Sequence, residues 1–102
     1  MQRALVCLLI LAMAAGTAAA AHPLVGRWIS SRETLTFFAS HEFAFGDEHG
    51  PTGSWTLRGS HLAFSIPRIG VARETEVVRL SRDQLILLEA GRKHTYQRWQ
   101  PK

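Results

Sequence analysis

Cysteine is nearly absent from this sequence, and its scarcity restricts the chemistry that the chain can perform. The one cysteine among 102 residues is Cys7, which lies inside an apolar N-terminal segment. If that segment is removed, no disulfide and no thiol nucleophile remain, even though export would permit disulfides. Stability must then come from an apolar core and from strand pairing. In a small domain, the free energy gained by burying apolar surface exceeds the cost in chain entropy only slightly.

Blocks of like charge are also missing. The chain has 12 Lys and Arg against 8 Asp and Glu. If Arg3 leaves with the N-terminal segment, 11 basic residues face the same 8 acidic ones, so the net charge becomes +3. The excess is spread along the chain, which indicates a solvated surface rather than a nucleic-acid partner.

Recognisable catalytic patterns are lacking as well. The sequence has no nucleophile elbow and no phosphate-binding loop. Asp47 and Glu48 form a carboxylate pair in a loop, without a visible partner for acid–base chemistry. We therefore expect no enzymatic activity and no cofactor.

The chain has a single long apolar run, Ala4–Ala15, which follows Arg3 and precedes Ala18–Ala21. A positive start, an apolar centre and an A-x-A end are typical of a secretory signal peptide. We predict that residues 1–21 form this signal, with cleavage after Ala21 and cleavage after Ala20 as the alternative. Residues 22–102 would then be one domain without a membrane anchor, exported to the periplasm or the extracellular medium.

The remaining chain consists of short alternating runs separated by turn residues every 8 to 12 positions, which is typical of an antiparallel sandwich or barrel. The predicted strands are Leu24–Ile29, Thr34–Phe38, Glu42–Phe45, Ser54–Arg58, His61–Ile66, Ala72–Leu80, Gln84–Glu89 and Lys93–Trp99. No window outside the signal keeps a 3.6-residue apolar period. Because every connection is short, we predict an all-β up-and-down meander of about eight strands. Closure into a barrel would remove the sheet edges, and a sandwich is the second possibility.

Several short motifs occur in a characteristic order along the chain. They are Leu24-x-Gly26-x-Trp28, the pair Phe37 and Phe43, Gly53-x-Trp55, the turn Ser81-Arg82-Asp83-Gln84-Leu85, and Tyr96-x-Arg98. This series resembles the lipocalin-like (calycin) barrels, in particular the short bacterial secreted lipocalin-like domains. In a closed meander the first and last strands are neighbours, so Arg98 could lie over the Trp28 indole, with Gly26 allowing close approach. We interpret Gly26, Trp28 and Arg98 as structural closure of the barrel.

The resemblance implies a small apolar ligand inside the barrel. The candidate lining residues are Phe37, Phe43, Phe45, Trp55, Leu62, Phe64 and Tyr96. A barrel this small can also be filled entirely by its own side chains. The sequence leaves both alternatives open.

The five histidines are scattered, without a tight ligand spacing, and no metal site is expected from them. One remote possibility concerns His22. After cleavage behind Ala21, its α-amine and imidazole could chelate copper(II) together with a second histidine.

Three functional hypotheses follow. The first is a non-enzymatic carrier or sequestering module for a small hydrophobic ligand. The second is an envelope accessory protein with a filled barrel that contacts another protein. The third is copper binding through His22.

Overall fold

The computed structural model describes residues 22–101, so the predicted signal peptide lies outside the described residues. The strands are β1 (Gly26–Ile29), β2 (Thr34–Phe37), β3 (Glu42–Phe45), β4 (Thr52–Arg58), β5 (His61–Ile66), β6 (Val71–Leu80), β7 (Gln84–Glu89) and β8 (Arg92–Arg98). A short 3-10 turn, Pro67–Ile69, connects β5 to β6. Between residues 22 and 101, no helix has the length and hydropathy that crossing a bilayer requires.

Each strand pairs in antiparallel register with its neighbour in the chain, and β1 also pairs with β8 to close a barrel. The predicted all-β, up-and-down barrel of eight strands is therefore confirmed. The connections β1–β2, β3–β4, β5–β6 and β7–β8 lie at one end, which we call the upper rim. The N-terminal residues, the C-terminal residues and the other three connections lie at the lower rim.

The sequence prediction begins the fourth strand at Ser54, but in the structure β4 begins at Thr52 and contains Gly53, opposite Phe43 of β3. A Cβ built on Gly53 would lie 1.8 Å from the carbonyl oxygen of Ser65. The glycine is there because the backbones of β4 and β5 approach too closely for any side chain. A strand glycine of this kind marks close approach rather than a chain break.

Alternation along each strand places a ring of large side chains in the barrel interior. The fully buried ones are Leu24, Trp28, Leu35, Phe37, Phe43, Phe64, Leu62, Ile66, Leu85, Leu87 and Tyr96. On β5, for example, Leu62, Phe64 and Ile66 are buried while the residues between them are partly exposed. The core thus runs continuously through the barrel from one rim to the other.

Candidate functional site

The interior residues predicted to line a ligand site pack against one another. The ring of Phe37 lies 5.3 Å from Phe43, 5.7 Å from Trp55 and 5.8 Å from Phe64, measured between centroids. Phe43 and Phe64 are 4.6 Å apart. Rings at these separations are in direct contact.

The other predicted lining residues extend the same cluster. Leu62 and Tyr96 are buried, and Phe45 is partly buried against the core. Its ring centroid lies 5.4 Å from that of Phe43. The space between the strands in this half of the barrel is therefore occupied by protein side chains, as in small barrels that have a filled interior.

At the lower rim, Arg98 is held against Trp28 and three backbone carbonyls. Its guanidinium carbon lies 4.3 Å from the Trp28 ring centroid. Its nitrogens donate to Val25 O at 2.9 Å, Pro23 O at 2.6 Å and Arg82 O at 2.6 Å. A Cβ on Gly26 would lie 2.5 Å from Arg98 Nη1, so the glycine leaves room for the arginine side chain.

A second charged cluster lies inside the upper rim, and sequence reasoning missed it. Arg73 makes two parallel hydrogen bonds to Glu33, both at 2.9 Å, and binds Glu89 at 2.8 and 3.1 Å. Tyr96 Oη donates to Glu33 at 2.5 Å. The guanidinium of Arg73 also lies 5.0 Å from the Phe64 ring centroid.

The pKa values of this cluster follow from burial and hydrogen bonding. Burial by itself would raise the pKa of Glu33, but hydrogen bonds from Arg73 and Tyr96 outweigh it, and the pKa is lowered. Burial, and then the hydrogen bond to Glu33, raises the pKa of Tyr96. The hydrogen bonds to Glu33 and Glu89 raise the pKa of Arg73 despite its burial. At neutral pH the cluster is thus a fixed ion-pair network that caps the core.

The sequence signal that could have found Arg73 is alternation, because Arg73 lies four residues before Val77 and therefore on the same face of a strand. In the structure Arg73 pairs with Phe64 of β5. Val71, Arg73, Thr75 and Val77 share the inward face of β6, and Thr75 is buried with its hydroxyl donating to Leu62 O at 3.0 Å. The charges of Glu33 and Glu89 let an arginine occupy an inward position of a strand.

An apolar groove of about 370 Å³ runs along the lower rim beside β1 and β2. It is lined by Val25, Gly26, Arg27, Thr36, Phe37, Phe38, Ala39, Arg98, Trp99 and Pro101. The indole of Trp99 is 42% exposed, whereas the other two tryptophans are buried. This groove combines a hydrophobic lining with an accessible aromatic ring, the usual make-up of a small-molecule site.

Local pairing fixes Trp99 at the groove. Its backbone N–H donates to Arg27 O at 2.8 Å, which continues the contact between the last and first strands. The Arg27 guanidinium lies 4.3 Å from the Trp99 ring centroid and is paired with Glu48. Arg27 Nε is buried and has no hydrogen-bond partner within residues 22–101.

The histidines are held in separate environments. His41 stacks on Trp55, with 4.5 Å between the ring centroids. His61 lies 3.2 Å from Glu74, and His49 is near Asp47. His94 Nδ1 accepts a hydrogen bond from Arg32 at 3.1 Å. Within residues 22–101, no three His, Cys, Asp or Glu side chains are grouped to hold a metal ion. His22 Nδ1 accepts from Leu24 N at 3.0 Å. The copper hypothesis also needs the free α-amine of His22, and the cleavage site lies outside the described residues, so it stays a prediction.

The adjacent carboxylates Asp47 and Glu48 have separate partners. Asp47 Oδ1 accepts from His49 N at 2.9 Å, whereas Glu48 pairs with Arg27. They do not face each other across a common site.

Comparison of the chain with protein-family models, with curated proteins and with solved structures gives no significant match.

Proposed function

We propose that this chain is an exported, non-enzymatic barrel of the lipocalin-like type that binds a small apolar molecule in the groove beside Trp99. The ligand is of the predicted apolar class, but its site lies on the outer surface of the barrel instead of in the interior. The interior rings that would have lined a cavity contact each other at 4.6 to 5.8 Å. The barrel then serves as a rigid scaffold for the groove.

The apolar groove is the observation that carries the proposal. Its volume of about 370 Å³ lies at the lower end of the range for small-ligand sites. Val25, Phe38 and Pro101 supply apolar surface, and Trp99 adds a flat ring that is still accessible to solvent. An acyl chain or an aromatic ring of modest size has the matching chemistry.

Arg27 at the groove favours a ligand with an anionic end. The guanidinium of Arg27 covers one face of Trp99, and its single pairing with Glu48 leaves donors free for a second acceptor. A medium-chain carboxylate would place its tail on the apolar lining and its head near Arg27.

Calorimetric titration of the purified protein with laurate tests the proposal. We expect saturable binding at one site, weakened about tenfold or more by Trp99→Ala, since a large apolar contact is lost. Ile69→Ala is the matched control, because Ile69 is 50% exposed on the 3-10 turn and does not line the groove. The proposal fails if laurate does not bind, or if both variants bind it as tightly as the unaltered protein.

The filled interior also supports a second candidate, an envelope accessory protein whose barrel contacts another protein. Its exposed large apolar side chains are Ile69, Val78 and Trp99. Crosslinking in an envelope extract, with Trp99→Ala and Val78→Ala compared, tests this candidate. Recovery of one defined partner that either substitution abolishes would support it, and a monomer that captures nothing would count against it.

A further inference from the structure

A basic depression of about 410 Å³ lies at the upper rim, away from the apolar groove. We call it the basic pocket, and it is lined by Ser30, Ser31, Arg32, Arg92, Lys93, His94 and Thr95. Arg32, Arg92 and Lys93 carry positive charge, and none of the seven residues is acidic. All three cations are exposed to solvent.

The pocket exists because β8 is longer than its partner. β1 has four residues and β8 has seven, and the two pair only through Trp28 with Arg98 and Ile29 with Gln97. The segment Arg92–Thr95 of β8 therefore has no β1 residue beside it. Its backbone edge faces the segment Ser30–Arg32 across the pocket and offers hydrogen-bonding groups to a ligand.

The opposite wall is held in place by local hydrogen bonds. The Ser30 hydroxyl accepts from the N–H groups of Arg32 and Glu33, both at 3.1 Å. Ser30 N donates to Glu33 O at 2.9 Å, so this turn is fixed at both ends. Arg32 is thus presented from a defined backbone conformation.

His94 joins the two walls. Arg32 Nη1 lies 3.1 Å from His94 Nδ1, and because a guanidinium only donates, Nδ1 must accept. The proton of a neutral His94 is then on Nε2, which makes that nitrogen a further donor.

The nearest carboxylates, Glu33 and Glu89, offset only part of the positive charge of the pocket. Glu33 is engaged by Arg73 and Tyr96, and Glu89 is engaged by Arg73. Both acids are committed to the ion-pair network inside the rim. Glu33 and Glu89 share the one positive charge of Arg73, so the network keeps one net negative charge, and Arg32 contributes to the lowered pKa of Glu33. Three cations against this one net charge leave the pocket positive, which is the electrostatic condition for anion binding.

We infer that the basic pocket binds a phosphate group. Two arginines supply planar, paired donors that match phosphate oxygens, Lys93 adds a point charge, and Ser31 adds a hydroxyl. The phosphate could belong to a free phosphate monoester or to a lipid headgroup. This inference is independent of the groove at the lower rim.

Titration of the ¹⁵N-labelled protein with inorganic phosphate, followed through amide chemical shifts, tests the inference. Saturable shifts are expected at Ser30–Arg32 and Arg92–Thr95, and Arg32→Gln combined with Arg92→Gln should weaken binding about tenfold or more. Arg58→Gln combined with Arg68→Gln removes the same charge from exposed positions outside the pocket and should change the affinity less than about twofold.

Vesicles distinguish the two sources of phosphate. Cosedimentation with phosphatidylglycerol vesicles, lost in the Arg32/Arg92 double variant but kept in the Arg58/Arg68 variant, identifies a lipid headgroup. Binding of inorganic phosphate alone, with the same dependence on Arg32 and Arg92, identifies a soluble ligand. The inference is overturned if neither probe binds, or if both double variants lose binding equally, since the effect would then be one of net charge.

Discussion

The guanidinium of Arg98 lies over the indole of Trp28, with 4.3 Å between the guanidinium carbon and the ring centroid. These two residues also face each other in the short pairing of β1 with β8, which consists of two residue pairs. The side-chain contact therefore reinforces the weakest pairing of the barrel. The Arg98 side chain thus joins the last strand to the first strand and to the N-terminal segment.

Arg98→Ala should lower the free energy of unfolding by about 2 to 4 kcal/mol, because a cation–π contact and three carbonyl hydrogen bonds are lost. Arg98→Lys should recover only part of this, since an ammonium cannot reach three acceptors in one plane. Urea unfolding followed by circular dichroism measures both. Arg58→Ala, at an exposed position, should have little effect. Equal losses for Arg98→Ala and Arg58→Ala would show that Arg98 does not close the barrel.

Gly53→Ala should be severely destabilising, because the new Cβ would lie 1.8 Å from Ser65 O and 2.8 Å from Ile66 Cα. Because these backbone atoms cannot move aside as the end of a flexible side chain can, we expect the free energy of unfolding to fall by about 3 kcal/mol or more. Gly59→Ala is the comparison, because nothing lies within 4 Å of its Cβ and only its φ of +61° opposes a side chain. That cost is about 1 kcal/mol. Thermal unfolding of the two variants compares them, and a Gly59 variant as unstable as the Gly53 variant would contradict the argument from close approach.

The ion-pair network predicts loss of stability in acid. The pKa of Glu33 is lower in the folded chain than in the unfolded chain, so its contribution is complete above the unfolded value, about 4.3. The contribution is lost as the pH falls through the lower folded pKa. Glu33→Gln should cost about 1.5 to 3 kcal/mol at neutral pH and should flatten this acid dependence.

Urea unfolding at a series of pH values from about 3 to 7 measures the acid dependence. Glu42→Gln, at an exposed position, is the control and should keep the slope of the unaltered protein. At the alkaline end, the raised pKa of Tyr96 predicts that stability falls as the pH rises above about 10. The same unfolding measurement at pH values from about 9 to 11 should show this fall in the unaltered protein and not in Tyr96→Phe. An unchanged acid slope in Glu33→Gln would mean that other carboxyl groups control the acid response.

The parts of the fold that the sequence predicted are those with a local pattern. Strict alternation in β5 indicated Leu62, Phe64 and Ile66 as interior residues, and short turns indicated hairpins. Gly53 fell outside the predicted fourth strand because the sequence does not distinguish a glycine at a close backbone approach from a glycine in a loop. Its function depends on Ser65, a residue of the neighbouring strand.

The groove, the ion-pair network of Arg73 and the basic pocket were not predicted, because their residues are distant in the sequence. The groove combines three separate segments, which contribute Val25, Phe38 and Trp99. No local sequence pattern marks any of these residues as part of a site. Arg73 is one of the basic residues whose spread along the chain indicated a solvated surface, and its partners Glu33 and Glu89 lie 40 and 16 residues away. Only the register of the closed barrel brings such residues together.

The most direct test of the proposed function is to locate a bound apolar probe by amide chemical-shift mapping of the ¹⁵N-labelled protein titrated with laurate. A filled barrel with an external groove predicts saturable shifts at Val25–Arg27, Phe38, Ala39 and Trp99, with the amides of Phe43 and Leu62 unchanged. Shifts concentrated at Phe43, Leu62 and Phe64 would place the ligand inside the barrel and contradict the account.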